Sequence, residues 1–567
     1  MRFSTLLLLS GLGLGSLSGQ AAPTEPDAPG APVRASSTVR KHLVYFRDKA
    51  NSPYSPAQPQ AFLSARSIQR RTRQNISVQP RDLPVNPSYV TQLKAVPKAQ
   101  LWYTSRWFNA AVVACDSTTL ASIQGLPFVR SVVTLNRAQA GARKQNPQPT
   151  VEPQQRAGAP ADYGSAYEQA NMLGAVTMHS ANFRGEGMQI AVFDAGFPGV
   201  NQIPAFQPLF DEGRLASTFN FVDKAPDVYL RNDHGTNCLS TMAANQASFF
   251  IGTAPKATYH LCITEDINSE HPVEEMNWLI AAEYADSVGV DIISSSLGYN
   301  TFDYPSIDYA YSDLNGRTAI STRAAATAAR VGILVVNSAG NEGASGWRYI
   351  TAPADADSIL TVGAVDASRQ LAGFSSVGPT ADGRIKPNVV AMGVQSAILT
   401  PSGAATRGNG TSFSCPITAG MAAGFWQANR NLTAQQVISF LQRSGSQGSA
   451  PNALQGYGIP NFVQAYALAN PGTPLATDPA KAARPELVVY PNPSRTDELY
   501  VQLTPDLQGR PLSVRIYDTR GALVATQQLA ATTAAQVQLK PGALGKGVYT
   551  CTIGAGTSQR TVRFEKL

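Results

Sequence analysis

Between residues 163 and 469 the chain returns repeatedly to short, mainly apolar runs with no regular polar face, at 189–193, 259–264, 290–294 and 332–336. A strand that is apolar on both sides must be covered on both sides, which is the condition of a parallel sheet rather than of an antiparallel one with a wet face. The Ala-rich stretch 318–330 between the last two runs reads as a helix, and helices alternating with strands supply that cover. The expected fold class is α/β, a parallel sheet with helices on both faces, in one large domain at 163–469. The chain has 567 residues, 43% of them hydrophobic and only 15% charged, which leaves room for further domains and argues against a coiled coil or a charge-driven disordered chain.

The flanks read differently. Met1-Arg2, an apolar stretch from Leu6 to Leu17 and the small residues Ala21-Ala22 compose an export signal at 1–22, and no other run reaches the roughly 18 apolar residues needed to span a bilayer. A Pro/Ala/Ser tether at 23–39 leads into a module at 40–137, with strands expected at 42–46, 110–114 and 129–135 and a helix at 59–73. Residues 138–162, rich in Gln, Pro, Gly and Ala, read as an exposed linker and a natural cleavage region. A second linker is expected at 470–484. Beyond it, at 485–567, alternation with period two at 512–516, 537–539 and 548–553, punctuated by Arg520-Gly521 and Pro541-Gly542, reads as a small antiparallel all-β sandwich.

The net charge of +7 suggests a nucleic-acid binder until it is located. Residues 34–157 hold 18 Lys and Arg against Asp48, Asp82, Asp116 and Glu152, a net of +14, so everything else sums to −7. A basic module beside an acidic one implies two parts that attract each other; no nucleic-acid reading motif accompanies the basic part, and no nucleic acid is expected as a partner. The five cysteines, Cys115, Cys238, Cys262, Cys415 and Cys551, are too few and too dispersed for a disulfide framework, and no C-x-x-C pair suggests a structural zinc.

Three segments of the α/β domain place a reactive side chain at a strand end or helix start. In Ala191-Val-Phe-Asp194-Ala-Gly196 an apolar strand ends in a carboxylate followed by a glycine that permits a sharp turn. In Asn232-Asp-His234-Gly the histidine opens a helix of small residues. In Gly408-Asn-Gly-Thr-Ser412-Phe-Ser-Cys-Pro416 a glycine loop runs into a helix, with Pro416 read as lying in the first turn and Ser412 at the N-terminus, where unpaired N–H groups favour a developing anion. Taken singly these are a turn-capping Asp, an ordinary polar His and an N-cap Ser. Taken together, Asp, His and Ser follow in that order at separations of 40 and 178 residues.

That order is unlike chymotrypsin and the α/β-hydrolases, and over about 300 residues the sequence resembles the subtilisin-like serine peptidases, the subtilases. Ser294-Ser-Ser296-Leu-Gly298 resembles the edge strand that pairs with the substrate backbone, and Asn337-Ser-Ala-Gly-Asn341 the loop that carries the oxyanion-hole Asn. The resemblance implies a subtilisin-like sheet with Ser412 as nucleophile, His234 as general base, Asp194 holding the imidazole, and the Asn341 amide with the Ser412 N–H as oxyanion donors. It also implies substrate-binding walls from Ser296, Leu297, Gly298, Ala339 and Gly340, whose small side chains suggest an open apolar pocket. Ala195 stands where a Ser or Thr is usual, and Asn388 and Met392 interrupt the common K-P-D-V-x-A-P-G pattern. Cys238 and Cys415 read as buried thiols, as a disulfide pair or as a reactive thiol. His271-Pro-Val-Glu-Glu275 lacks a second metal-binding His and reads as surface. No cofactor is required for the chemistry, and no complete acidic loop assigns a structural calcium.

The basic module occupies the place of an inhibitor-type propeptide, a small α+β prodomain that templates folding, blocks the cleft and is removed near 138–162. The C-terminal Val488-Val-Tyr-Pro-Asn-Pro493 and Gly547-Val-Tyr549 resemble the sorting domain of type IX secretion cargo; a carbohydrate-binding or adhesive module is the alternative, and it lacks a row of exposed aromatics. The expected whole is a secreted, monomeric serine endopeptidase, carried through the periplasm to the cell surface or medium. Its expected partners are polypeptide substrates, its own propeptide and the secretion machinery. A catalytically silent binding protein on the same scaffold, or a dedicated processing protease, is the alternative.

Overall fold

The computed structural model describes residues 39–135, 151–152, 162–475, 487–496, 498–503, 507–534, 536–555 and 558–567. The expected export signal and nearly all of the tether lie outside these residues, as does most of both linkers. In the N-terminal module, strands β1 (Arg40–Phe46), β2 (Gln100–Ser105), β3 (Ala110–Cys115) and β4 (Val129–Thr134) form an antiparallel sheet in the order β2-β3-β1-β4. The helix expected at 59–73 is two pieces. A 3-10 turn, Pro59–Ala61, is followed by helix α1 (Ala65–Arg73), because the Ser64 hydroxyl accepts the Ser67 N–H and starts the helix afresh. Helices α2 (Pro87–Lys94) and α3 (Ser117–Gln124) are capped in the same way by Asn86 and Asp116. Val44, Phe46 and Val113 face a core on one side of the sheet, and Leu43, Tyr45 and Val112 face the other way.

The central sheet has seven strands: β5 (Gln189–Asp194), β6 (Leu215–Asn220), β7 (Thr258–Ile263), β8 (Ile292–Ser295), β9 (Leu334–Ser338), β10 (Leu360–Val365) and β11 (Val389–Met392). Every pairing is parallel, in the order β11-β10-β9-β8-β5-β7-β6. The pleat divides each strand between two cores. Ile190 and Val192 face one core with Leu334 and Val336, Ala191 and Phe193 the other with Ile333 and Val335. Helix α4 (His234–Ala243) and the long α7 (Thr411–Ala428) cover the first face; α5 (Pro272–Val288) and α6 (Ile320–Arg330) cover the second. Strand β5 lies between β7 and β8, so the chain leaves it in one direction and later returns on the other side. Such a switch point opens a crevice at the carboxyl ends of the strands.

Charge complementarity between the N-terminal module and this domain is realised on α5. Asp286, fully buried, meets Arg71 at 2.8 Å and Arg106 at 2.6 Å, and also pairs with Arg70. Glu283, one turn earlier, accepts from the Ser105 hydroxyl at 2.5 Å and from the Arg106 and Trp107 N–H groups. Burial alone would raise the Asp286 carboxyl, but Arg106, Arg70 and Arg71 outweigh it and hold it below the usual carboxylate range. Leu43, Tyr45, Trp107 and Phe108 complete the contact by joining the core beneath α5 and α6. Asp286→Asn is expected to leave three guanidinium groups facing a neutral amide and to cost about 3–5 kcal/mol of interface stability. The measurement is the affinity of the separately added N-terminal module for the remainder. The same contribution is present above the unfolded carboxylate pKa and is lost as pH falls through the depressed one.

Val151–Glu152, inside the expected linker, pair with Arg407 and Gly408 as a short strand, so that stretch is not wholly exposed coil. Asn388, one of the pattern breaks, has a consequence. Lys386 is buried and bonds Asn388 Oδ1, Thr361 Oγ1 and Ile359 O, all neutral, and burial with Arg384 nearby pushes its ammonium down to about 7. The C-terminal part is a sandwich of two antiparallel sheets. One joins Val488–Tyr490, Leu499–Gln502 and Gln536–Leu539; the other joins Leu523–Leu529, Leu512–Tyr517, Gly547–Ala555 and Ser558–Lys566. Val501, Val514, Ile516, Ile553 and Phe564 fill the space between. No helix among the described residues is long and apolar enough to cross a membrane.

Candidate active site

Asp194 is the last residue of β5 and His234 the first of α4, and two glycines let these ends approach. Gly196 has φ +153, and a Cβ there would lie 2.3 Å from Leu230 O. A Cβ on Gly235 would meet Gly196 O at 2.3 Å and Asp194 Cβ at 2.9 Å. With that space open, Asp194 Oδ1 accepts from His234 Nδ1 at 2.7 Å. It also accepts the Ala195 N–H at 2.8 Å, while Oδ2, fully buried, has no hydrogen-bond partner. A Ser or Thr at 195 would bring a hydroxyl to this neighbourhood; Ala195 brings none. Burial works against the His234 imidazolium, but the Asp194 carboxylate, with a smaller contribution from Cys238, raises its pKa well above the usual imidazole value. Gly235→Ala is expected to wedge α4 off β5 and to lower reactivity at the site at least about 100-fold, as a displacement near 1 Å does. The rate of labelling by a serine-directed fluorophosphonate measures it.

Ser412 is the second residue of α7. Pro416 is not in the first turn, as the sequence suggested, but deeper in the helix. It has no N–H to give to the carbonyl four residues back, which is that of Ser412. Side chains take over: Ser296 Oγ donates to Ser412 O at 2.8 Å and Cys238 Sγ at 3.2 Å. Cys238 Sγ also sits 3.8 and 3.9 Å from the two His234 ring nitrogens, nearly equidistant, as expected of a thiol lying over the ring. Burial keeps this thiol protonated. All five cysteines are free and buried, which removes the Cys238–Cys415 disulfide from consideration.

One pocket at the carboxyl ends of β5, β7, β8 and β9 is lined by His234, Ser412, Asn341, Ser296, Leu297, Gly298 and Gly340. No hydrogen bond joins the Ser412 hydroxyl to His234 here; such contacts are often loose without substrate. Asn341 Oδ1 accepts from the Thr411 N–H at 2.9 Å and the Thr411 hydroxyl at 3.0 Å. Its oxygen being engaged, the NH₂ end is the one left to donate into the pocket. Ala339 is fully buried with Leu314 and Ile350 and does not line the pocket. The expectation of an apolar pocket is corrected too, since Glu265, Asp266, Glu270 and Glu342 line it. Nor is 271–275 surface: His271, Glu274 and Glu275 are buried where α5 begins. The sequence reading missed these acids, although the run Thr264-Glu-Asp-Ile-Asn-Ser-Glu270 directly follows β7 and so had to sit at the crevice.

Among the described residues, two groups of side chains converge closely enough to hold a metal: Asp194, His234 and Cys238, and the all-oxygen set Glu265, Glu270 and Glu274. The first is the bonded Asp–His pair with its thiol neighbour. The second is the donor chemistry a hard cation prefers.

Comparison with known proteins now decides the family. Subtilisin from Bacillus pumilus is 31% identical over 281 residues, covering 49% of this chain and 90% of that protein. The chain belongs to the subtilase family. Residues 185–458 match the Subtilase family, 41–150 the Peptidase S8 propeptide domain, Bacteroidota, and 488–565 the Secretion system C-terminal sorting domain. Subtilisin DY from Bacillus licheniformis is 36% identical over 217 residues, 38% of this chain and 71% of that one. Subtilisin NAT from Bacillus subtilis subsp. natto is 31% identical over 280 residues, which covers 49% of this chain but only 65% of that relative's length. This subtilase is therefore a peptidase-family domain between a propeptide domain and a type IX sorting domain, the last marking it for export to the cell surface or beyond.

Proposed function

We propose that this chain is a secreted serine endopeptidase that cuts polypeptides through an acyl-enzyme on Ser412. The observation that carries the reading is the 2.7 Å bond from His234 to buried Asp194, with His234 and Ser412 lining one pocket. A serine hydroxyl is a poor nucleophile until a base removes its proton during attack, and the neutral imidazole is that base. Asp194 fixes the ring with Nδ1 protonated, leaving Nε2 to accept the proton, and stabilises the imidazolium that results. As the scissile carbonyl becomes tetrahedral, its oxygen takes up charge that the Asn341 NH₂ and the Ser412 N–H at the α7 N-terminus stabilise. The imidazolium then protonates the departing amine, and water repeats the sequence on the ester. The N-terminal module, held by the Asp286 arginine cluster, acts as the folding template and inhibitor, and cleavage falls within 138–162. The experiment is fluorophosphonate treatment followed by peptide mapping: a single adduct on Ser412 is expected, and an unlabelled Ser412 in folded, processed protein would sink the reading.

A further inference from the structure

Two walls of the pocket come from neighbouring strands that end side by side, β8 running on to Gly298 and β9 to Gly340. Small residues on both walls would leave a deep slot if nothing stood between them. Thr351 stands there. A Cβ built on Gly298 would lie 2.1 Å from Thr351 Oγ1, and one on Gly340 would lie 3.0 Å from the same oxygen and 3.2 Å from Thr351 Cγ2. The side chain thus fills the space that the two glycines leave, and it lines the same pocket as His234 and Ser412. Thr351 is only 3% exposed, and its covered hydroxyl oxygen has no hydrogen-bond partner, so the surface it gives the pocket is carbon. Backbone bonds tie it to both walls. Its N–H donates to Ala339 O at 3.2 Å, and Ala352, the next residue, exchanges bonds of 2.7 and 3.0 Å with Tyr299. A close-packed plug held from both sides resists displacement by a larger side chain.

We propose that Thr351 is the floor of the pocket for the residue preceding the scissile bond, and that it restricts that residue to small side chains, alanine foremost. The inference rests on the endopeptidase reading and adds its substrate class. The sequence supplies a second, independent observation. Residues 138–162, where cleavage is proposed, hold six alanines and two glycines and no aromatic, Leu, Ile or Met side chain. A pocket built for a large apolar side chain would find nothing to hold in the first substrate the chain meets, its own precursor. The longer side chains of that region, such as Arg143, Lys144 and Arg156, would have to fit above the same floor. Forcing an aromatic ring against a fixed side chain costs what overfilling a packed core costs, whereas a methyl group seats without displacing anything.

The test uses the full-length chain, allowed to mature, and quenched peptides that differ only in the residue before the scissile bond: Ala, Phe or Arg. Mass spectrometry of the products fixes which bond is cut. Ala is expected to exceed Phe and Arg in kcat/KM by about 10- to 100-fold, the range over which a close-fitting apolar site discriminates. Thr351→Gly removes the plug and is expected to raise the rate with Phe, bringing the Ala/Phe ratio within about threefold of one. Thr351→Ala, which shortens the side chain without freeing the backbone, is expected to fall between. Each ratio is taken within one sample, so partial folding does not affect it. Phe or Arg cut as fast as Ala by the unaltered chain overturns the proposal while leaving the endopeptidase standing, as does an Ala/Phe ratio that neither substitution moves. Absence of both cleavage and fluorophosphonate labelling overturns the two readings together.

Discussion

Ser412→Ala is expected to lower peptide hydrolysis by about 10⁶-fold, the scale seen when a triad nucleophile of this kind is removed. Its supports are independent of the hydroxyl. Ser296 and Cys238 hold the Ser412 backbone carbonyl, and Asn341 is held by Thr411, so none of these bonds involves the Ser412 side chain. Thermal unfolding should therefore shift little, and the variant isolates chemistry from folding. Unassisted oxyanion stabilisation and binding should still leave a residual rate about 10³–10⁴ above water. The same variant should keep 138–162 uncut if maturation is intramolecular, so the precursor would accumulate with its N-terminal module attached. Hydrolysis within tenfold of the unaltered chain would remove Ser412 from the chemistry and return the catalytically silent scaffold to consideration.

The parallel sheet was legible because its strands have no polar face, and burial on both sides is the arrangement that satisfies such strands. The Asp, His and Ser positions were legible because each sits where a regular element starts or stops, and strand ends of a doubly covered sheet gather at one crevice. Position in the chain says less about which way a side chain faces. Ala339 lies between two lining residues, Ser338 and Gly340, yet packs into a separate core. Glu274 and Glu275 look like an exposed helix start, but α5 is buried along most of its length, because the sheet lies under one side and the N-terminal module covers the other. The excess charge of 34–157 announced an attraction. That it would converge on a single carboxylate, Asp286, depended on three arginines from two separate segments, α1 and the turn after β2, and no local pattern encodes that meeting.

Asp194→Asn is expected to reduce kcat/KM about 10⁴-fold while moving its pH dependence in a defined direction. In the unaltered chain burial opposes the His234 imidazolium, and the Asp194 carboxylate outweighs burial. Only the neutral ring can take the Ser412 proton, so activity should climb as pH rises through a value above the usual imidazole pKa of about 6.5. An amide at 194 keeps the shape but removes the charge and can present its NH₂ to Nδ1, which selects the wrong tautomer. Burial is then opposed only by the smaller contribution of Cys238, and the acid limb of the residual activity should move down from its position in the unaltered chain. Stability runs the other way. The imidazolium–carboxylate pair contributes fully below the unfolded histidine pKa and is lost as pH rises through the raised folded value, so the unaltered chain becomes less stable over the range in which it becomes more active. Profiles of kcat/KM and of unfolding free energy, measured on both proteins across pH 5–9, test the two slopes separately. An acid limb that stays in place when Asp194 is neutralised would mean that some other group sets the protonation of the base, and the 2.7 Å bond would then be structural rather than catalytic.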